Sequence, residues 1–237
     1  YLNLTYSTMI KIINKIIKSA DDYPLSYLQF EPENNTRNKS IILVYEIFGL
    51  TDHIKNVAKE YAENGFVVAI PDIFSRLENN INLPYNKNGF SKGLQLKEKL
   101  GWELPVMDIV ALAATLRLER NVSVLGYCYG GSLAWLAMQK SFIFEKGICY
   151  YGSSTPDFLE SNINCPGILH FGSDDKGIPK EAIEKVKKFI NMNKNKIELF
   201  EYENADHGFN CSQRKSYNKI AAEKAFEKTI KFLKDSK

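Results

Sequence analysis

At 237 residues, with 44% hydrophobic and 25% charged side chains, the chain is sized and composed for one globular domain spanning 1–237, with a sizeable core. A net charge of +3 is too small to point to a nucleic acid or a membrane surface as partner, and the lysines of 185–196 read as the solvated face of a helix. Four widely spaced cysteines make no disulfide framework, and no apolar run reaches the ~20 residues that a bilayer demands, so reduced thiols and a cytoplasmic setting are expected. A monomer is expected, although nothing in the sequence fixes the oligomeric state.

In chain order, residues 1–8, ahead of Met9, read as a start-site remnant, and 9–17 carries too weak a pattern to separate a short edge strand from a helix. Residues 25–30 read as a strand, followed by a polar, Asn-rich hairpin or crossover over 31–39. The runs 40–44 and 66–70 are near-continuously apolar, as in strands covered on both faces, with a helix over 52–64 between them. Such a β-loop-α-β unit marks a parallel sheet. Residues 74–90 form an irregular loop expected to lie over the site. Helices are expected over 91–100, 106–120, 133–139, 180–191 and 217–234, and strands over 122–125, 146–151, 167–171 and 197–202. The expected fold class is α/β, with a mostly parallel central sheet and helices on both faces.

Between the strand at 122–125 and the helix at 133–139 stands Gly126-Tyr127-Cys128-Tyr129-Gly130. A strand that turns at once into a helix strains its pivot residue, and glycines two positions either side relieve the crowding. The pattern is a nucleophile elbow with sulfur in place of the usual serine oxygen. A thiolate there is the attacking species. His207 can take and return the proton, and a carboxylate can orient the imidazole. The order Cys128, Asp175, His207 matches that of α/β-hydrolases, and all three follow predicted strands, at the edge where parallel sheets carry their sites. Asp174 competes with Asp175, Asp206 adjoins His207 too closely to face it, His53 is a second choice of base, and His170 belongs to the core. Cys149 and Cys165 read as core residues.

The oxyanion of acyl transfer needs two donors, assigned to the backbone N–H groups of Tyr129 and Ile47. Glu46, at the end of a buried strand, is costly unless paired. It can pair with Arg76, bond the Cys128 thiol, or sit in an exposed loop.

Together these residues give the chain its resemblance to the dienelactone hydrolase family, Cys-dependent α/β-hydrolases. The matching pieces are Tyr45-Glu46-Ile47-Phe48-Gly49-Leu50, Pro71-Asp72 through Arg76, Gly126-Tyr-Cys128-Tyr-Gly130-Gly131, Tyr151-Gly152, Gly172 through Asp175 with Pro179 following, and His207-Gly-Phe. The resemblance implies a Cys128–His207–Asp175 triad, contact of Glu46 with the thiol, and Arg76 as the anchor for a substrate carboxylate. Substrate would displace Glu46 and free the thiolate for attack on a lactone carbonyl. Where dienelactone-cleaving members have a second arginine, four residues after the histidine, this chain has Cys211; Arg214 lies three residues further on.

The expected activity is hydrolysis of a small-molecule lactone or carboxylic ester, a carboxylate-bearing one included, with no cofactor and no metal. Cys128, His207 and Cys211 lack any standard zinc spacing. The alternative is a non-catalytic or redox-sensing binding protein on the same fold.

Overall fold

The computed structural model describes residues 9–33, 38–159, 163–193 and 197–235; the segment 1–8 lies outside them. Its frame is an eight-stranded sheet: β1 (Ile10–Lys18), β2 (Pro24–Pro32), β3 (Lys39–Val44), β4 (Val67–Pro71), β5 (Asn121–Tyr127), β6 (Gly147–Tyr150), β7 (Gly167–Gly172) and β8 (Ile197–Tyr202). The spatial order is β1-β2-β4-β3-β5-β6-β7-β8. From β4 to β8 every neighbouring pair is parallel, while β1/β2 and β2/β4 are antiparallel.

The apolar runs behave as their composition dictates. Every residue of β4 and β7 is buried, as is all of β5 beyond Asn121, because a parallel sheet is covered on both faces. The helices are α1 (Asp52–Glu63), α2 (Lys87–Leu100), α3 (Glu103–Arg117), α4 (Tyr129–Lys140) and α5 (Lys180–Asn193), which link strands, and α6 (Lys219–Lys234), which follows β8. None of the described helices is long and apolar enough to cross a membrane.

The 9–17 segment is strand β1, at the sheet edge. Its exposed Ile12 and Ile16 blur the period-2 signal, and Lys11, Lys15 and Lys18 blunt the open edge. Because β2 and β3 are not neighbours, their connection is a crossover rather than a hairpin. The 74–90 segment is only partly irregular. A 3₁₀ turn occupies Ile73–Arg76, and α2 begins at Lys87, where the Asn86 side chain caps the Gly89 N–H at 3.0 Å.

Candidate active site

The ends of β3, β5, β7 and β8 converge on one edge of the sheet. They carry Glu46, Cys128, Asp175 and His207 respectively. At the end of β5, Cys128 has φ 56° and ψ −117°, a conformation that costs a side-chain-bearing residue about 1–3 kcal/mol. The neighbours show why the flanking residues are glycine. A Cβ on Gly126 would lie 1.9 Å from the Gly130 carbonyl oxygen, and one on Gly130 would lie 2.2 Å from that of Val44. The pivot is held by a 3.0 Å bond from its N–H to the Tyr150 carbonyl. The residue as a whole is 8% exposed, largely out of bulk water. Tyr129 is the first residue of α4, so its N–H precedes any helical carbonyl acceptor. The Ile47 N–H has no backbone acceptor among the described residues.

Beyond β7, the Asp175 carboxylate is wholly buried. One oxygen accepts from the Gly177 N–H at 2.8 Å, and the other lies 2.8 Å from His207 Nδ1. This separates the neighbouring carboxylates. Asp174 is exposed and accepts from Ser173, while Asp206 accepts from the backbone N–H of His207 at 2.6 Å and does not touch the ring by that bond. Burial alone would lower the His207 pKa. Coulombic attraction toward Cys128 and the hydrogen bond to Asp175 outweigh it and push it up to about 10. The imidazole therefore answers to both the sulfur and the acid, and Tyr151 packs against its ring at 5.1 Å in an edge contact.

Glu46 is wholly buried, and its charge is met on both oxygens. Arg214 donates to one at 3.2 Å and the Tyr85 hydroxyl to the other at 3.1 Å. Arg214 reaches it by passing over Gly208, where a Cβ would stand 2.2 Å from Nη1. The guanidinium also faces the rings of Phe48 and Tyr85 at 5.6 and 6.0 Å. Burial alone would lower the Arg214 pKa, and Glu46 raises it. A cavity of about 660 Å³ opens here, lined by Phe48, Tyr85, Phe90 and the cations Lys87, Arg214 and Lys215. A larger groove of about 750 Å³, beside α3, is lined mainly by apolar side chains such as Trp102, Val106 and Phe158, and Cys128, Asp175 and His207 are not part of its wall.

The dienelactone hydrolase family model matches residues 25–236 of this sequence. The chain belongs to the dienelactone hydrolase family. Over 237 aligned residues it is 28% identical to the "Putative carboxymethylenebutenolidase" of Synechocystis sp., covering 94% of each chain. It is 25% identical to the carboxymethylenebutenolidase of Pseudomonas putida, covering 81% of this chain and 84% of that one. The solved Klebsiella pneumoniae "Putative Dienelactone Hydrolase" superposes with a TM-score of 0.85 at 21% identity, over 96% of this chain and all of the other, a likeness of fold. The protein is thus a hydrolase of this family, with the α/β-hydrolase fold anticipated from sequence.

Within that family frame, one anticipated residue has different partners. Arg76 spends four of its five N–H donors on two carboxylates: Asp108 of α3, bonded twice at 2.7 Å, and Asp21, bonded at 2.8 and 2.9 Å. Asp108 is wholly buried, and an unpaired charge there would be costly, so the guanidinium stands as its counter-ion. Nor does Arg76 pair with Glu46; Arg214 does. His170 is a core residue, bonded to the hydroxyls of Tyr202 at 2.7 Å and Thr229 at 3.0 Å. All four cysteines are free thiols, and Cys149 and Cys165 are buried. Cys211, also buried, lies beside Glu46 and His53; one ligand atom from each falls within 4.8 Å of the others. Burial, then Glu46, raises the Cys211 pKa to about 11, and burial lowers that of His53.

Proposed function

We propose that this hydrolase cleaves small carboxylic esters or lactones bearing a free carboxylate, through Cys128, His207 and Asp175 and a covalent acyl-enzyme. The observation that carries the reading is the 2.8 Å contact between His207 Nδ1 and the buried Asp175, with Cys128 among the groups that raise the imidazole pKa. Proton transfer from the thiol to His207 gives a thiolate–imidazolium pair, stabilised by Asp175. The sulfur attacks the ester carbonyl carbon and a C–S bond forms. The carbonyl electrons move onto oxygen, where the N–H groups of Tyr129 and Ile47 receive the charge; each such donor is worth about 3 kcal/mol. The oxyanion collapses, the C–O bond breaks, and His207 protonates the departing alkoxide. Water, giving its proton to His207, then attacks the thioester and releases the acid and the thiol.

The substrate carboxylate has its natural partner in Arg214, which lines the 660 Å³ cavity with Lys87 and Lys215. Binding there exchanges the Glu46 partner for the substrate, so Arg214 takes the anchoring role that the resemblance placed on Arg76. The test is turnover of an aryl ester panel with and without a carboxylate, by wild type, Cys128→Ala and His207→Ala. Loss in both variants is expected; retained turnover in either contradicts the reading.

A further inference from the structure

We propose that Glu46, His53 and Cys211 form a binding site for Zn²⁺ beside the catalytic residues. One ligand atom from each of the three buried side chains lies within 4.8 Å of the other two. They come from separate places in the chain: the loop after β3, the first turn of α1, and the loop following His207. An imidazole, a thiolate and a carboxylate are a donor set suited to tetrahedral zinc, whose ligand atoms stand roughly 3.5 Å apart. The side chains therefore need to close by about 1 Å.

A second observation concerns the same imidazole. His53 is only 4% exposed, yet its Nε2 has no hydrogen-bond partner among the described residues. A buried nitrogen left without a partner forfeits about 1–3 kcal/mol, and a metal bond would recover it. The site also has an approach. His53 forms part of the wall of a cavity of about 540 Å³, whose lining also holds Glu60, Glu63 and Glu223 against a single lysine, Lys59, together with Asn210 and Ser212, on either side of Cys211. Carboxylates in that lining favour entry of a cation.

The ion takes the Cys211 sulfur as thiolate, and the thiol proton leaves to solvent; thiolate and Glu46 together offset the charge of the ion, and Arg214 remains as one positive charge in excess. Arg214 competes for one Glu46 oxygen, which costs affinity, but a carboxylate has lone pairs to spare on both. The fourth position falls to water.

The test is titration of the metal-free protein with Zn²⁺ by calorimetry, and with Co²⁺ by absorption, where a thiolate ligand gives a charge-transfer band. Expected are one ion per chain and a band that disappears in Cys211→Ser. Affinity should fall by about a hundredfold or more in Cys211→Ser and His53→Gln. Binding should persist in Cys128→Ser. Circular dichroism checks folding, and if one of the ligand variants does not fold, the other is read alone. Absence of binding to wild type, binding unchanged in a folded ligand variant, or an ion lost with Cys128 rather than Cys211 overturns the proposal. The last would place the metal on the catalytic pair.

Discussion

Arg214 donates to the wholly buried Glu46 at 3.2 Å, closing an ion pair between residues 168 positions apart in the chain. The pair sits where β3 and the loop after β8 meet, next to the sulfur and imidazole of the proposed mechanism. In that proposal its cation meets the incoming carboxylate.

Replacing Arg214 by Ala removes a charge-assisted contact worth about 1.5–3 kcal/mol. The ratio of kcat/KM for a carboxylate-bearing ester to that for its neutral analogue should fall by about 10- to 100-fold. Steady-state kinetics on matched esters checks it; an unchanged ratio places the anchor elsewhere.

Gly208→Ala tests the same contact without removing a charge. The new methyl would overlap Arg214, and φ of +77° disfavours any Cβ there. This variant should shift selectivity in the direction of Arg214→Ala, measured on the same ester pair.

Arg76→Ala, which like Arg214→Ala strands a buried carboxylate, differs in its expected selectivity. It leaves Asp108 buried and uncompensated, a loss of about 3–5 kcal/mol. The melting temperature should drop by about 10 °C, with the carboxylate-to-neutral selectivity unchanged. Calorimetry and kinetics on one preparation separate the two; a selectivity loss with normal stability would return Arg76 to the substrate.

His207 adds a pH dependence to stability. Its folded pKa, about 10, lies above the ordinary value of 6.5. Its stabilising contribution is therefore complete below the unfolded pKa and is lost as pH climbs through about 10. The gap in melting temperature between wild type and His207→Gln should shrink steadily from pH 7 to 10. A gap that widens over that range contradicts the assignment.

How far the sequence could carry this reading depended on the distance over which each signal acts. The elbow was legible because its causes are local: glycines two positions either side of Cys128, an apolar run before and a helix after. The covered parallel strands were legible for the same reason. The β1 strand was not, since an edge strand with exposed isoleucines loses its alternation. The start of α2 was hidden by the poor helix formers Asn88 and Gly89, although Asn86 at the cap was a usable sign. The partners of Arg76 lie 32 and 55 residues away, and no pattern within a segment reports them. For Arg214 a faint signal existed. The chain has five arginines among 31 basic residues, and this one alone follows Arg120, seven positions after the histidine.

The strain at Cys128 gives a stability comparison free of chemistry. Cys128→Gly and Cys128→Ala both lose the sulfur, but only Ala keeps a Cβ at φ 56°. The Gly variant should be the more stable by about 1 kcal/mol, the reverse of the usual order of these residues.

The most direct measurement is mass spectrometry of enzyme quenched during turnover of an activated aryl ester. The proposed mechanism predicts an acyl group on the peptide containing Cys128, accumulating further in His207→Ala if acylation still proceeds and absent in Cys128→Ala. An acyl group on another residue, or steady turnover by Cys128→Ala, would contradict it.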